Sequence, residues 1–230
     1  MFSYSKMNLA ELSRMTGISR AKLRRLKENG FSFKPHLISN IVERYKECSM
    51  PKLIVFLADG FEECEALLVV DILRRAGVET VMASIMGRLE VLSSRKIEVK
   101  ADALAEDMDY ESADMLFLPG GRKGSENLFN SELVKKWCVE FAKTKKLAAI
   151  CAAPSVLARF GLLEGKKATC HPDFEDKMTG ALVTRTNVAV DGNIFTGQGL
   201  GATFELAFVL AEELAGKEAV EKIKRAICYK

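Results

Sequence analysis

The chain has 230 residues and a mass of 25.4 kDa; 48% of its residues are hydrophobic, 28% are charged, and its mean hydropathy is close to zero. This is the composition of a folded globular protein and excludes disorder as the dominant state. No run approaches the ~20 apolar residues that cross a bilayer. No apolar core and small-residue cleavage site follow the first residues, so a cytoplasmic protein with no membrane partner is expected.

The formal net charge of +3 is unevenly spread. Residues 1–50 carry 10 Lys/Arg against 4 Asp/Glu, a net +6, whereas residues 51–230 carry 24 against 27, a net −3. A basic head on a mildly acidic body points to two units, 1–50 and 51–230, with different partners. In the head, Leu9, Leu12 and Met15 recur at helical spacing until Thr16-Gly17-Ile18 interrupts them. Ser19 is a suitable N-cap for a second helix that ends at Asn29-Gly30. Around its Leu23 and Leu26 stripe stand Arg20, Lys22, Arg24, Arg25 and Lys27. A third helix is expected over 37–48. The layout resembles the N-terminal helix-turn-helix of some transposases and regulators, which implies DNA as a partner through the second helix. The plainer alternative is a helical appendage with a solvated basic face.

From Pro51 strands and helices alternate. The apolar run 52–58 suits a buried parallel strand, 62–76 an amphipathic helix stopped by Gly77, and 79–85 a second strand. Residues 87–104 read as a short antiparallel excursion, and 115–118 as a buried strand ending in Pro119-Gly120-Gly121. A helix over 131–144 leads to a strand at 147–150 and then Cys151. A hairpin is expected over 187–196 with Asp191-Gly192 as its turn, followed by helices at 203–214 and 217–226. This alternation specifies an α/β fold with a doubly wound, mostly parallel sheet sandwiched by helices, whose site lies beyond the carboxyl ends of the strands. Gly197-Gln-Gly199-Leu-Gly201-Ala202 fits a dinucleotide fingerprint formally, but it comes too late and lacks a βαβ unit. It reads instead as a tight turn that lets backbone pass close to the site.

The six cysteines (48, 64, 138, 151, 170 and 228) include no C-x-x-C pair, and the only histidines are His36 and His171. Zinc ribbons, redox dithiols and histidine-rich metal sites are thereby excluded, and reduced thiols are expected. Cys151 stands apart. Ala149-Ile-Cys-Ala-Ala-Pro154 places it on a strand-to-helix turn of small residues, with Pro154 pre-set for the first helical turn. A helix N-terminus behind a thiol favours the thiolate. A buried structural cysteine is the alternative.

Six separated motifs resemble the DJ-1/ThiJ/PfpI superfamily, on its DJ-1 branch. They are Asp59-Gly-Phe-Glu-Glu-Cys-Glu65, Val70-Asp-Ile-Leu-Arg-Arg-Ala-Gly77, Leu118-Pro-Gly-Gly121, Ala149-Ile-Cys-Ala-Ala-Pro154, Thr169-Cys-His-Pro172 and Gly199-Leu-Gly-Ala-Thr-Phe-Glu205. The resemblance implies a flavodoxin-like fold and a catalytic Cys151. Glu65 would be a protonated carboxyl that donates to the thiolate and lowers the thiol's pKa, while His171 would line the site. The loop Gly120-Gly121 and the N–H of Ala152 would form an oxyanion hole. It further implies a homodimer, no cofactor, and a small reactive aldehyde as substrate, in glyoxalase III or deglycase chemistry. An oxidative-stress sensor with an oxidisable Cys151 and a DNA-binding head is the alternative. Two departures matter. Ala153 replaces the usual glycine of the elbow, and Ala152 stands where PfpI-type peptidases carry a histidine, which argues against peptidase activity.

Overall fold

The computed structural model describes Arg24, Arg25 and residues 50–229. The chain divides into two units, Met1–Met50 and Pro51–Lys230. In the first, Arg24 and Arg25 are helical and exposed. Arg20, Lys22, Lys27 and the rest of the expected helix-turn-helix lie outside the described residues.

In the second unit β1 (Lys52–Leu57) is an interior strand of a seven-stranded sheet. It is followed by α1 (Glu63–Arg75), β2 (Glu79–Ser84), a β3–β4 hairpin (Glu90–Leu92, Glu98–Lys100) and β5 (Ala103–Leu104). Then come β6 (Met115–Leu118), α2 (Arg122–Phe129), α3 (Glu132–Thr144), β7 (Lys146–Ile150) and α4 (Pro154–Arg159). A small β8–β9 pair (Lys167–Ala168, Leu182–Val183) precedes β10 (Val188–Asp191), β11 (Ile194–Gly197), α5 (Thr203–Ala215) and α6 (Lys217–Ala226). The sheet order is β10-β11-β7-β6-β1-β2-β5, parallel except where β10 pairs with β11. Leaving out the edge strands, this is the flavodoxin-type 2-1-3-4-5 order.

Alternation along the strands explains why β1 reads as a continuous apolar run. Ile54 and Phe56 face one layer with Val134, Phe141 and Val156, while Leu53, Val55 and Leu57 face the other with Val69, Leu73 and Leu206. Each face of the sheet is covered, so both parities must be apolar. The order of the chain places the ends of β1, β6 and β7 side by side; Glu65, Gly120-Gly121 and Cys151-Ala152 leave from these ends, whereas His171 follows β8 outside the main sheet.

Two readings from sequence are corrected. The hairpin turn is Gly192-Asn193, because Asp191 pairs with Ile194 and Gly192 takes the left-handed first turn position (φ +60°). Helix α2 was not anticipated, since Gly124 and a polar run break its pattern. That glycine is set by packing: a Cβ there would lie 2.7 Å from the Phe61 backbone, and its N–H donates to the Gly60 carbonyl at 3.1 Å.

Candidate active site

Cys151 leaves β7 with φ +63°, a left-handed conformation that is rare for a residue with a Cβ. Contacts on both sides hold it there. Its N–H donates to the Gly197 carbonyl at 2.9 Å, and its carbonyl accepts the His171 N–H at 2.9 Å. Ala153 follows in ordinary right-handed geometry (φ −70°), so this turn does not need the family's glycine. Pro154 occupies the first helical turn of α4, as expected. Gly197 belongs where it does because a Cβ would approach the Ile150 side chain to 2.9 Å. The glycine-rich segment therefore does bring backbone up to the elbow.

Glu65 arrives from the first turn of α1 and is fully buried. Glu62 caps that helix, its Oε2 accepting the Glu65 N–H at 2.6 Å, which fixes where the helix starts and so where Glu65 points. The Gly120 N–H donates to Glu65 Oε2 at 3.0 Å, while Oε1 is buried without a hydrogen-bond partner. The carboxyl and the Cys151 thiol lie close enough for each to shift the other. Burial is the main cause that raises the Glu65 pKa to about 7. The thiol is likewise pushed up to about 12, by burial first and then by the neighbouring carboxylate. This is opposite to the lowering expected from sequence, because burial disfavours the thiolate and an ionised Glu65 repels a second charge. Of the two groups the carboxyl therefore ionises first, and the N–H groups of Gly121 and Ala152, both directed at the sulfur, offset only part of the thiol's rise.

The loop after β6 thus divides its work differently from the expectation. The Gly120 N–H is committed to Glu65, which leaves Gly121 and Ala152 as the donors at the sulfur. A Cβ on Gly120 would overlap the Glu65 carboxyl oxygen and lie 2.6 Å from Cys151 Cβ. Gly120→Ala is therefore expected to destabilise the fold by about 1–3 kcal/mol and to abolish Cys151-dependent chemistry, checked by urea unfolding and by turnover. Gly121 has φ +92°, and a Cβ on it would strike the Gly60 carbonyl oxygen.

His171 reaches the elbow through its backbone. Its imidazole is 44% exposed, with Nδ1 accepting the Asp173 N–H at 3.2 Å. No hydrogen bond among the described residues joins that ring to the sulfur. Sequence reasoning missed Glu63, which is buried and accepts from Ser94 Oγ at 3.1 Å and the Arg95 N–H at 3.4 Å. It ties the turn between β3 and β4 to the start of α1, a long-range contact that no local pattern announces. Asp59 adds a second tie, accepting from Arg88 at 2.8 Å and the Leu92 N–H at 3.0 Å. Among the described residues no group of three or more His, Cys, Asp or Glu is placed to hold a metal ion, and no helix is long and apolar enough to cross a membrane.

A doubly wound α/β domain with a cysteine at the strand-to-helix elbow and a buried glutamate beside it defines the class. The model of the DJ-1/PfpI family matches residues 51–213, and the chain belongs to that family. The chain is similar to Protein DJ-1 homolog B of Arabidopsis thaliana, 38% identical over 178 residues, covering 76% of this chain and 41% of that longer protein. It is 28% identical over 179 residues to the glutathione-independent glyoxalase DJR-1.2 of Caenorhabditis elegans, covering 76% of this chain and 95% of that protein. The crystal structure of Drosophila melanogaster DJ-1beta superposes with a TM-score of 0.76 at 34% identity, covering 79% of this chain and 100% of that one.

Proposed function

We propose that the chain is a cysteine-dependent, cofactor-independent enzyme acting on α-oxoaldehydes, of the glyoxalase III type that converts methylglyoxal to lactate. One observation carries this reading: a thiol on a left-handed elbow meets a buried carboxyl of raised pKa and two convergent N–H groups. The nematode relative named as a glyoxalase supports it.

In this scheme the Glu65 carboxylate takes the Cys151 thiol proton as the sulfur adds to the aldehyde carbon, and the carbonyl electron pair moves onto oxygen. The Gly121 and Ala152 N–H groups hold that oxyanion until it takes the proton of Glu65. The Glu65 carboxylate then removes the hydrogen of the same carbon, giving an enediol, and a proton returned to the adjacent carbon leaves a lactoyl thioester. Water attacks the thioester, the C–S bond breaks, the departing sulfur takes a proton from the attacking water, and lactate leaves with the thiol restored. One water is added in total, and no oxidant or reductant is consumed. Deglycation of a protein or nucleotide adduct would begin with the same attack. His171 has a supporting place in this scheme, lining the approach to the elbow. The test is lactate formation from methylglyoxal without glutathione; a correctly folded chain that forms none refutes the reading.

A sensor or regulator is the second reading, and two observations favour it. Cys151 is half-buried, so peroxide can reach it, and Arg24 and Arg25 are helical and exposed. On α1, Cys64 is exposed with Leu67 and Leu68 half-buried beside it, an apolar edge suited to a homodimer. Two copies of a basic head would match a palindromic DNA site. Duplex DNA should then bind with a steep salt dependence that disappears when residues 1–50 are deleted. Equal binding by the full chain and the deletion rules out a DNA-binding head.

A further inference from the structure

We propose that the cleft above Cys151 is built for an anion-bearing substrate, an α-oxoaldehyde whose far end carries a phosphate or a carboxylate. The aldehyde half of this statement rests on the glyoxalase-type reading, and the anionic half does not.

The cleft has a volume of about 410 Å³ and reaches Cys151. Its wall carries four cations, Arg95, Lys96, Arg122 and Lys123, against two carboxylates, Asp59 and Glu62. Both carboxylates are already engaged. Asp59 is paired with Arg88 at 2.8 Å, and Glu62 accepts the Glu65 N–H at 2.6 Å as a helix cap. Among the described residues Arg95, Lys96 and Lys123 form no ion pair. Arg122 has one, a 3.4 Å contact to Asp173 in which both side chains are mostly exposed. Such a pair contributes about 0–1 kcal/mol and exchanges readily for an incoming anion.

The placement of these cations is as telling as their number. Arg122 and Lys123 open α2 directly after Gly121, so they follow in sequence one of the N–H groups at the sulfur. Arg95 and Lys96 come from the turn between β3 and β4, which Glu63 anchors through Ser94 and Arg95. All four line the same cleft as Cys151, on the two segments that flank its opening. That is where the tail of a bound substrate would lie. Neutral methylglyoxal leaves this charge unused.

Two alkylating reagents of nearly equal size, iodoacetate and iodoacetamide, differ in charge and test the cleft without requiring turnover. The reaction is followed on the Cys151 peptide by mass spectrometry, since Cys64 and Cys228 are also exposed. The expected result is an iodoacetate-to-iodoacetamide rate ratio about fivefold to tenfold above that of 2-mercaptoethanol. The ratio should fall towards the free-thiol value in 1 M salt and in the Arg122→Ala, Lys123→Ala double variant. Inorganic phosphate should slow alkylation of the unmodified chain. A wild-type ratio equal to that of the free thiol and indifferent to salt overturns the proposal, and this arm needs no variant to fold. Lactate formation with a flat ratio would overturn the anionic preference alone. A raised ratio in a chain that forms no lactate would support the anionic cleft and remove the glyoxalase reading.

Discussion

Cys151→Ala is expected to lower lactate formation from methylglyoxal by at least about a thousandfold, because the covalent step has no other nucleophile. Cys138, Cys170 and Cys64 do not substitute for it. Cys138 and Cys170 are buried with raised pKa values, and Cys64 lies among Glu62, Glu63 and Glu65, with burial and then those charges raising its pKa. The variant keeps a Cβ, so it keeps the backbone strain of a left-handed elbow, and the hydrogen bonds to Gly197 and His171 are made by main chain. Stability should therefore change by less than about 1 kcal/mol. Urea unfolding alongside the lactate assay separates the two effects. Undiminished activity in a folded Cys151→Ala protein would refute the covalent scheme.

Glu65→Gln is expected to move activity and stability in opposite directions. Activity is lost because an amide cannot carry the proton between carbons. Stability is gained above neutral pH, and the sign follows from the raised pKa. A carboxyl that titrates at 4.5 when unfolded and at about 7 when folded stabilises the native state fully below pH 4.5. That contribution is lost as the pH rises through 7. A shift of roughly two and a half units corresponds to about 3 kcal/mol, the upper limit of the gain expected for the neutral glutamine at pH 8. At pH 4 the two proteins should be nearly equal. The Gly120 N–H can still donate to the glutamine oxygen, and glutamine has nearly the volume of glutamate, so the substitution introduces no void. Urea midpoints of both proteins across pH 4–8 provide the check, since titrations not coupled to Glu65 cancel in their difference. Parallel curves would show that Glu65 is not the group that titrates near 7.

Much of this arrangement was legible in the sequence because it is local. The elbow at Cys151 is announced by small residues between an apolar strand and Pro154, and the doubly wound, mostly parallel sheet follows from the alternation of strands with helices. Glu65 could be placed because its motif directly follows β1. What was not legible depends on groups far apart in the chain. Helix α2 is hidden by Gly124, whose reason is the backbone of Phe61. Gly120 was grouped with the oxyanion donors because only the folded chain turns its N–H towards Glu65. The thiol's raised pKa required knowing that both it and the carboxyl are desolvated, a property of the packed interior. Glu63 in sequence is only one of several charges at a helix start, yet it is 5% exposed and anchors a loop some 30 residues away in sequence.

The main-chain bonds on either side of Cys151 have a consequence for partly unfolded forms of the protein. One partner, Gly197, ends β11, and the other, His171, opens a short turn of helix outside the main sheet. Neither belongs to the β1–β2–β6 half of the sheet that presents Glu65 and Gly121. If the β10–β11 edge frays, the nucleophile loses its aim while much of the remaining core can stay folded. Catalytic competence would then decline before global unfolding registers, making turnover an early indicator of damage at that edge of the sheet.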